Sequence, residues 1–287
     1  MQFKDTFFSR KLTLNYNGEI LNLSSTQIIG ILNITPDSFY NGGKYNSIDK
    51  ALQRTEQIIA EGGAIIDIGA YSSRPGAKNI SEAEELTRLI PILKNIRQNF
   101  PDSILSVDTF RSDIAKKMVM EHGVNMINDI SGGNFDDNMF KTIAELNVPY
   151  ILMHMKGTPQ DMQINPTYKN LIKEIFIFFS DRVEKLKSLG VNDVILDPGF
   201  GFGKTLDHNY ELLKKLDFLK IFQLPISVGI SRKSMIYKLL NSSASESLNG
   251  TTVLNTVALL SGVNLLRVHD VKEAVETIKL VTKLEKF

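Results

Sequence analysis

The sequence predicts an α/β protein of the (β/α)8 barrel class, and three observations carry that prediction. Six apolar runs stop abruptly at polar residues: Ile65-Ile66 at Asp67, Ile104-Leu105-Ser106-Val107 at Asp108, Met126-Ile127 at Asn128-Asp129, Tyr150-Ile151-Leu152-Met153 at His154, Val194-Ile195-Leu196 at Asp197, and Leu265-Leu266 at Arg267-Val268-His269-Asp270. Parallel strands closed into a barrel bring such endings together at one mouth, where barrel active sites lie. Second, strand, polar loop and amphipathic helix alternate eight times within 287 residues, the size of one such barrel. Third, no break in composition separates the units, which disfavours an open doubly wound sheet.

The elements follow in order. Leu12–Tyr16 and Glu19–Leu23 flank Asn17-Gly18, the preferred two-residue hairpin turn, and the hairpin is expected to cap the N-terminal mouth of the barrel. Residues 1–26 thus form an extension and 27–287 the barrel of a single domain. Strand one covers Ile28 to Leu32 and ends at Asn33; a long loop through Gly42-Gly43 precedes a helix from about Asp49 to Ala60. Strand two is Ala64 to Ile68. Ser81-Glu82-Ala83-Glu84 has the pattern of a capping box. Strand three ends at Asp108, with a helix from Ser112. Strand four ends at Asn128-Asp129, and Gly132-Gly133 opens its loop. Strand five ends at His154, and a long helix from about Pro166 to Leu189 is stopped by Gly190. Strand six runs into Asp197-Pro198-Gly199-Phe200-Gly201-Phe202-Gly203-Lys204, where Pro and Gly keep the backbone out of regular structure. Strand seven is Ile226 to Gly229, with Ser231-Arg232-Lys233-Ser234 opening its helix. Strand eight is Leu265 to Val268, and the last helix reaches about Leu284.

Composition narrows the function. The hydrophobic fraction of 43% and charged fraction of 23% are those of an ordinary globular chain. The absence of Cys excludes disulfides and thiolate catalysis, and with four His a structural zinc site is not expected. A net charge of +1 with dispersed basic residues argues against nucleic-acid binding. No signal core and no run near the roughly 20 apolar residues of a membrane span are present, so a cytoplasmic location without membrane contact is expected.

Asp108, Asn128 and Asp197 each end a strand. Any one of them alone is as readily a helix cap. All three, with Lys233, form a set of acceptors and donors suited to a flat heterocycle that shows an amino group beside a ring N–H. Phe202, on a Gly-flanked loop, would wall an aromatic ligand. Lys204 follows Gly201-Phe202-Gly203, but the spacing is not that of a phosphate loop. Ser231–Ser234 at a helix start, with Arg267 and His269 two apart on one strand face, would bind an anionic leaving group such as pyrophosphate. Asn33 with Asp37 offers oxygens to a hard cation. His154, alone at its strand end, reads as a structural hydrogen-bonder.

Five of these segments, Asn33-Ile34-Thr35-Pro36-Asp37-Ser38-Phe39, Ser72-Ser73-Arg74-Pro75-Gly76, Asp197-Pro198-Gly199, Ser231-Arg232-Lys233-Ser234 and Arg267-Val268-His269-Asp270, stand in order at strand ends. Together they resemble the dihydropteroate synthase family from about Ile28 to the C-terminus. The resemblance implies a barrel enzyme of folate biosynthesis that joins 4-aminobenzoate to 6-hydroxymethyl-7,8-dihydropterin diphosphate, releases pyrophosphate, uses Mg²⁺, is a target of sulfonamides and is a homodimer. By position it implies a pterin pocket of Asp108, Asn128, Met153, Asp197 and Lys233. It implies diphosphate contacts at Asn33, Ser73, Arg74, Arg267 and His269, with the metal on Asn33. Phe39, Ser73, Pro75, Phe202 and Ser234 would surround 4-aminobenzoate, and Asn33, Asp37, Lys233, Arg267 and His269 would carry the chemistry. One departure stands out: where the family reads Glu-Ser-Thr-Arg-Pro-Gly, this chain has Tyr71-Ser72-Ser73-Arg74-Pro75-Gly76. Two other classes share parts of the pattern. A corrinoid-type methyltransferase barrel would share the pterin pocket without needing the anion-binding segments, and a non-catalytic pterin-binding paralogue would need only the pocket.

Overall fold

The computed structural model describes residues 11–34, 43–72, 79–284 and 286. Strands β1 (Thr13–Tyr16) and β2 (Glu19–Asn22) pair antiparallel across Asn17 and Gly18, both at positive φ (51° and 86°), as a primed turn requires. The barrel follows: β3 (Gln27–Asn33), α1 (Gly43–Ala60), β4 (Ile65–Gly69), α2 (Glu82–Asn99), β5 (Ile104–Asp108), α3 (Ser112–His122), β6 (Met126–Asp129), α4 (Met139–Leu146), β7 (Tyr150–Met153), α5 (Leu171–Ser188), β8 (Val194–Asp197), α6 (Leu206–Lys214), β9 (Ser227–Val228), α7 (Ser234–Tyr237), α8 (Leu248–Leu260), β10 (Leu265–Val268) and α9 (Val271–Leu284). The eight barrel strands lie in the order β8-β7-β6-β5-β4-β3-β10-β9, all parallel where paired. A parallel bridge between Leu196 and Ile226, with the Leu196 N–H donating to Pro225 O at 2.9 Å, joins β8 back to the last strand. The expected (β/α)8 class is what the chain adopts.

Inward-facing side chains alternate along each strand and fill the barrel in layers. At the bottom, Ile29, Ile65, Met126, Ile151, Ile195 and Leu265 form one buried cluster with Leu14 and Leu23 from the hairpin. The hairpin therefore closes the N-terminal mouth, as its place in the sequence predicts. Lys11 and the Asn15 N–H both reach the Asp193 carboxylate, at 2.8 and 3.1 Å, and fasten it there. The outward faces of the strands pack on the helices in a second, larger core. Among the described residues, no helix is long and apolar enough to cross a membrane.

Local expectations fail at helix starts. The first barrel helix begins at Gly43 rather than near Asp49, because polar Lys44–Ser47 carries no apolar period to reveal it. The long helix begins at Leu171, capped by the Asn170 side chain, and not at Pro166. Ser81 accepts from the Glu84 N–H at 3.2 Å, but Glu84 turns its carboxylate to Arg88 on the next turn, so half of the expected capping box forms.

Leu14 is fully buried in the bottom cluster. Leu14→Ala should lower the stability of the whole barrel by about 2–5 kcal/mol, read from the midpoint of urea unfolding. A change within error would mean that the hairpin is not part of the cooperative core.

Candidate active site

Strand register sets the site. Asn33, Gly69, Asp108 and Asn128 are successive partners across β3, β4, β5 and β6, so they form one row at the C-terminal rim. Met153 and Asp197 pair across β7 and β8. Asp108, Asn128, Ile130, Met153, Asp197, Phe202, Gly229, Lys233 and Arg267 line one narrow pocket open to solvent. The five residues assigned to the pterin pocket thus face a common space, with Arg267 and Phe202. Its faces are apolar, from Ile130, Met153 and Phe202. Its edge is polar.

Below the rim, Asp67 is fully buried and organises that edge. Its Oδ2 accepts from the Asn128 amide at 2.9 Å and from Arg267 Nε at 2.7 Å, while Arg267 Nη2 donates to Asp108 at 3.2 Å. Two carboxylates thus share one guanidinium. Burial, with Asp67 close by, pushes the Asp108 carboxyl up to about 8, although Arg267 opposes it. Asp197 is raised by burial against the pull of Lys233; its Oδ1 accepts the Gly199 N–H at 2.8 Å. Lys233 is lowered by burial to about 8, its ammonium sits 4.6 Å over the Phe202 ring, and it donates to the Phe200 carbonyl.

The anion side differs from expectation in two respects. Arg267 and His269 do not form one paired clamp: Arg267 turns into the barrel toward Asp67 and Asp108, whereas His269 lies past the end of β10, with Nδ1 3.1 Å from Ser231 Oγ. Burial first, then the charge of Arg267, hold His269 down to about 4, so it is neutral. The helix at Ser231–Ser234 is a single turn, Ser234–Tyr237, with Lys233 at its cap. Arg232 takes a positive φ of 56° and forms a two-pronged ion pair with Asp270. Ser234 opens onto a neighbouring cavity with Gln163, Lys204 and Lys238 rather than the pocket. Asp37, Phe39, Ser73, Arg74 and Pro75 lie outside the described residues. The departure at Tyr71 is accommodated by packing. Its ring meets Phe110 edge-on at 5.0 Å, and its hydroxyl accepts from Gln160 at 3.0 Å.

No group of three or more His, Cys, Asp or Glu gathers as metal ligands among the described residues. Gly69 leaves a gap where a Cβ would lie 3.5 Å from Asn33 Oδ1 and 3.8 Å from Asp108 Oδ2. Of these two oxygens, Asp108 Oδ2 is taken by Arg267, so the Asn33 amide oxygen is the hard donor left for a cation that keeps water and phosphate as its other ligands, as Mg²⁺ does.

Asp67, Lys204 and His154 were named in the sequence without a place in the site: Asp67 as a strand ending, Lys204 as a weak echo of a phosphate loop, and His154 as a structural hydrogen-bonder, which its contact with Lys204 at 3.0 Å bears out. Asp67 stands two residues before Gly69 on an otherwise apolar strand, which places it on the inward face; that spacing was its signal. Lys204 and His154 meet only through the loop between them, which no spacing reveals.

A closed parallel barrel whose mouth holds a polar-edged, apolar-faced slot defines an enzyme for a flat, amino-bearing heterocycle. The profile of the family described as "Pterin binding enzyme" matches residues 29–269. The dihydropteroate synthase of Escherichia coli K12 is 41% identical over 266 residues, 92% of this chain and 93% of that enzyme. The Yersinia pestis dihydropteroate synthase, solved as a complex with a sulfonamide drug, superposes with a TM-score of 0.89 at 41% identity, covering 96% of this chain and all of that one. The Xanthomonas albilineans enzyme, solved with 4-aminobenzoic acid, gives 0.89 at 32% identity, with 96% and 99% covered. The chain belongs to the dihydropteroate synthase family of pterin-binding enzymes.

Asp67→Ala leaves the Asn128 amide unpaired and Arg267 with one partner. It should cost about 3 kcal/mol of unfolding free energy. Asp197→Asn, at a residue that holds only the Gly199 N–H, should cost little stability but weaken pterin binding by about 1–3 kcal/mol in calorimetry. The reverse pattern would exchange their roles.

Proposed function

We propose that this chain condenses 4-aminobenzoate with (7,8-dihydropterin-6-yl)methyl diphosphate, giving 7,8-dihydropteroate and pyrophosphate. The observation that carries the assignment is the pocket itself: Asp108, Asn128, Asp197 and Lys233 along one edge, Met153 and Phe202 on the faces, and Arg267 at the side. A pterin ring placed between the faces directs its amino group and ring N–H groups at carboxylates. Diphosphate then leaves from a methylene conjugated to an electron-rich ring, so ionisation precedes attack and no covalent enzyme intermediate is required. Arg267 and His269 receive the departing charge, an electrostatic contribution of several kcal/mol. Asn33 would hold Mg²⁺, which supplies further neutralisation of the diphosphate. Phe202 and Ser234, with Phe39, Ser73 and Pro75, are the residues for the arylamine substrate. A methyl-transferring barrel would leave His269, seated on Ser231, without an anion to receive.

A second copy of the chain covers α8 in this proposal. Leu248–Leu260 contains no charged residue, yet exposes Val253, Val257 and Leu260, with exposed Leu240 close to Gly250. An uncharged apolar face can meet its own image without like-charge repulsion, as a two-fold interface demands. Val257→Lys should convert a dimer into a monomer in light scattering. A mass unchanged by the substitution would place the interface elsewhere.

Pyrophosphate release should require both substrates; no release with both present would refute the assignment. His269→Ala should weaken pyrophosphate and pterin diphosphate but leave a phosphate-free pterin unaffected, whereas Arg267→Ala should weaken all three because it also orients Asp108. An anion beside His269 raises its pKa from about 4, so pyrophosphate should bind with proton uptake between about pH 4 and 6.5. Calorimetry in two buffers of different ionisation enthalpy measures this, and His269→Gln should abolish it.

A further inference from the structure

The loop after β8 is held in an unusual way. Five consecutive carbonyls, from Gly199 to Gly203, are each taken by a side chain. Lys204 donates to Gly199 O at 2.9 Å and to Phe202 O at 3.1 Å. Lys233 takes Phe200 O, Gln163 takes Gly201 O at 2.5 Å, and Tyr168 takes Gly203 O at 2.8 Å. The third contact of Lys204 is His154 Nδ1, at 3.0 Å. Both side chains are buried, Lys204 at 2% exposure and His154 at 5%. Neither touches the pocket.

A buried ammonium is costly unless each N–H is accepted. Three acceptors match the three N–H groups of an ammonium, and they leave His154 neutral with its proton on Nε2. The stem of the loop is tied to the same strand end. The His154 N–H donates to Asp197 O at 2.9 Å, and Gly199, at φ +69°, lies so close to the His154 carbonyl that a Cβ there would overlap it. The two aromatic rings of the loop point to different places: Phe200 is fully buried in the outer core, and Phe202 joins the pocket cluster.

We infer that Lys204 is a positioning residue for the pterin side of the reaction: seated on His154, it fixes the Gly199–Phe202 turn so that Asp197 and Phe202 meet the ring, and it adds a third positive charge, beside those of Lys233 and Arg267, behind Asp197. The charges that face Asp197 are Lys233 from the loop after β9, Arg267 from β10, and Lys204 itself; Asp108 faces Lys233 across the pocket, and Asp67 pairs with Arg267. Around the clamp, Lys233 lies near Lys204, and Arg182 and Lys156 lie near His154. Burial and Lys233 push Lys204 well below the ordinary lysine value, and Asp197 opposes them.

The inference rests on the dihydropteroate synthase activity only for its kinetic readout. The test uses the full chain with Lys204→Met, His154→Gln and His154→Leu, followed by pyrophosphate release across pH and by pterin titration in a calorimeter. Lys204→Met should raise KM for the pterin diphosphate roughly 10- to 100-fold, with a smaller fall in kcat. The acid limb of kcat/KM should move to higher pH, because Asp197 loses a stabilising charge and its pKa rises. His154→Gln keeps an oxygen acceptor for the ammonium and should restore both quantities to near their original values, and His154→Leu should fall between. A Lys204→Met chain with a lowered Tm but with KM and the acid limb in place would overturn the inference. Should Lys204→Met fail to fold, His154→Leu decides by the same two readouts. Were the unaltered chain to release no pyrophosphate, the functional assignment would fall, and unchanged pterin affinity in Lys204→Met would separately overturn the clamp.

Discussion

Asp67 and Asp108 share a single guanidinium, that of Arg267, and among the described residues lining the pocket the other cation is Lys233, across the space. Much of the site follows from that imbalance. Asp67 engages Arg267 more closely, at 2.7 Å against 3.2 Å, and burial, with Asp67 close by, raises the Asp108 carboxyl against the pull of Arg267. The same Asp67 oxygen orients the Asn128 amide, so the row of polar groups at the rim is aligned from beneath before any ligand arrives. Such a network is costly to break and only modestly stabilising when complete, so its value lies in fixing one arrangement of donors and acceptors.

The opposite wall is fixed by lysines acting on backbone. Lys233 and Lys204 approach the loop after β8 from either side and take Phe200 O, Gly199 O and Phe202 O. A glycine-rich loop would otherwise be free to move its two rings. Here the loop carries one ring to the core and the other to the pocket, and Lys233 lies over the latter. Rigid strand ends on one side and a fastened loop on the other give the heterocycle a preorganised slot, which is how an enzyme with little covalent chemistry gains rate.

How much of this was legible in the sequence depends on whether a residue acts along its own strand or across the fold. Asp108, Asn128 and Asp197 were readable because apolar runs terminate at them, and a parallel barrel turns such terminations into a rim. The hairpin was readable because Asn17-Gly18 admits few other conformations. Asp67 was read as one more strand ending, but it sits within its strand, one pleat below the rim, and its task appears only when Arg267 and Asn128, from strands distant in sequence, arrive beside it. Arg267 was placed among the anion contacts because alternate residues share a face, but β10 ends at Val268, so His269 does not continue that face. Lys204 and His154 are 50 residues apart, and their contact is set by the loop's path. The start of α1 lies in a stretch, Lys44–Ser47, without an apolar period, and α5 starts at Leu171 because Asn170 caps it, a signal the nearby Pro166 obscured.

The character of the pocket walls limits the chemistry that can occur there. Among the described lining residues no hydroxyl or thiol faces the space, and the chain has no Cys. Of the two carboxylates, Asp108 is bound to Arg267 and pushed toward its neutral form by burial, and Asp197 spends one oxygen on the Gly199 N–H beside a lysine. Neither is placed as a free nucleophile. Lys233, lowered to about 8, is committed to a carbonyl. Among the described lining residues none is placed to attack the methylene carbon; they are placed to hold the ring and receive the charge that departs, leaving the attack to the arylamine. In the proposed reaction the neutral His269 would suit that task, since it would accept a proton as a leaving anion developed beside it and so follow the charge without opposing the arrival of the substrate.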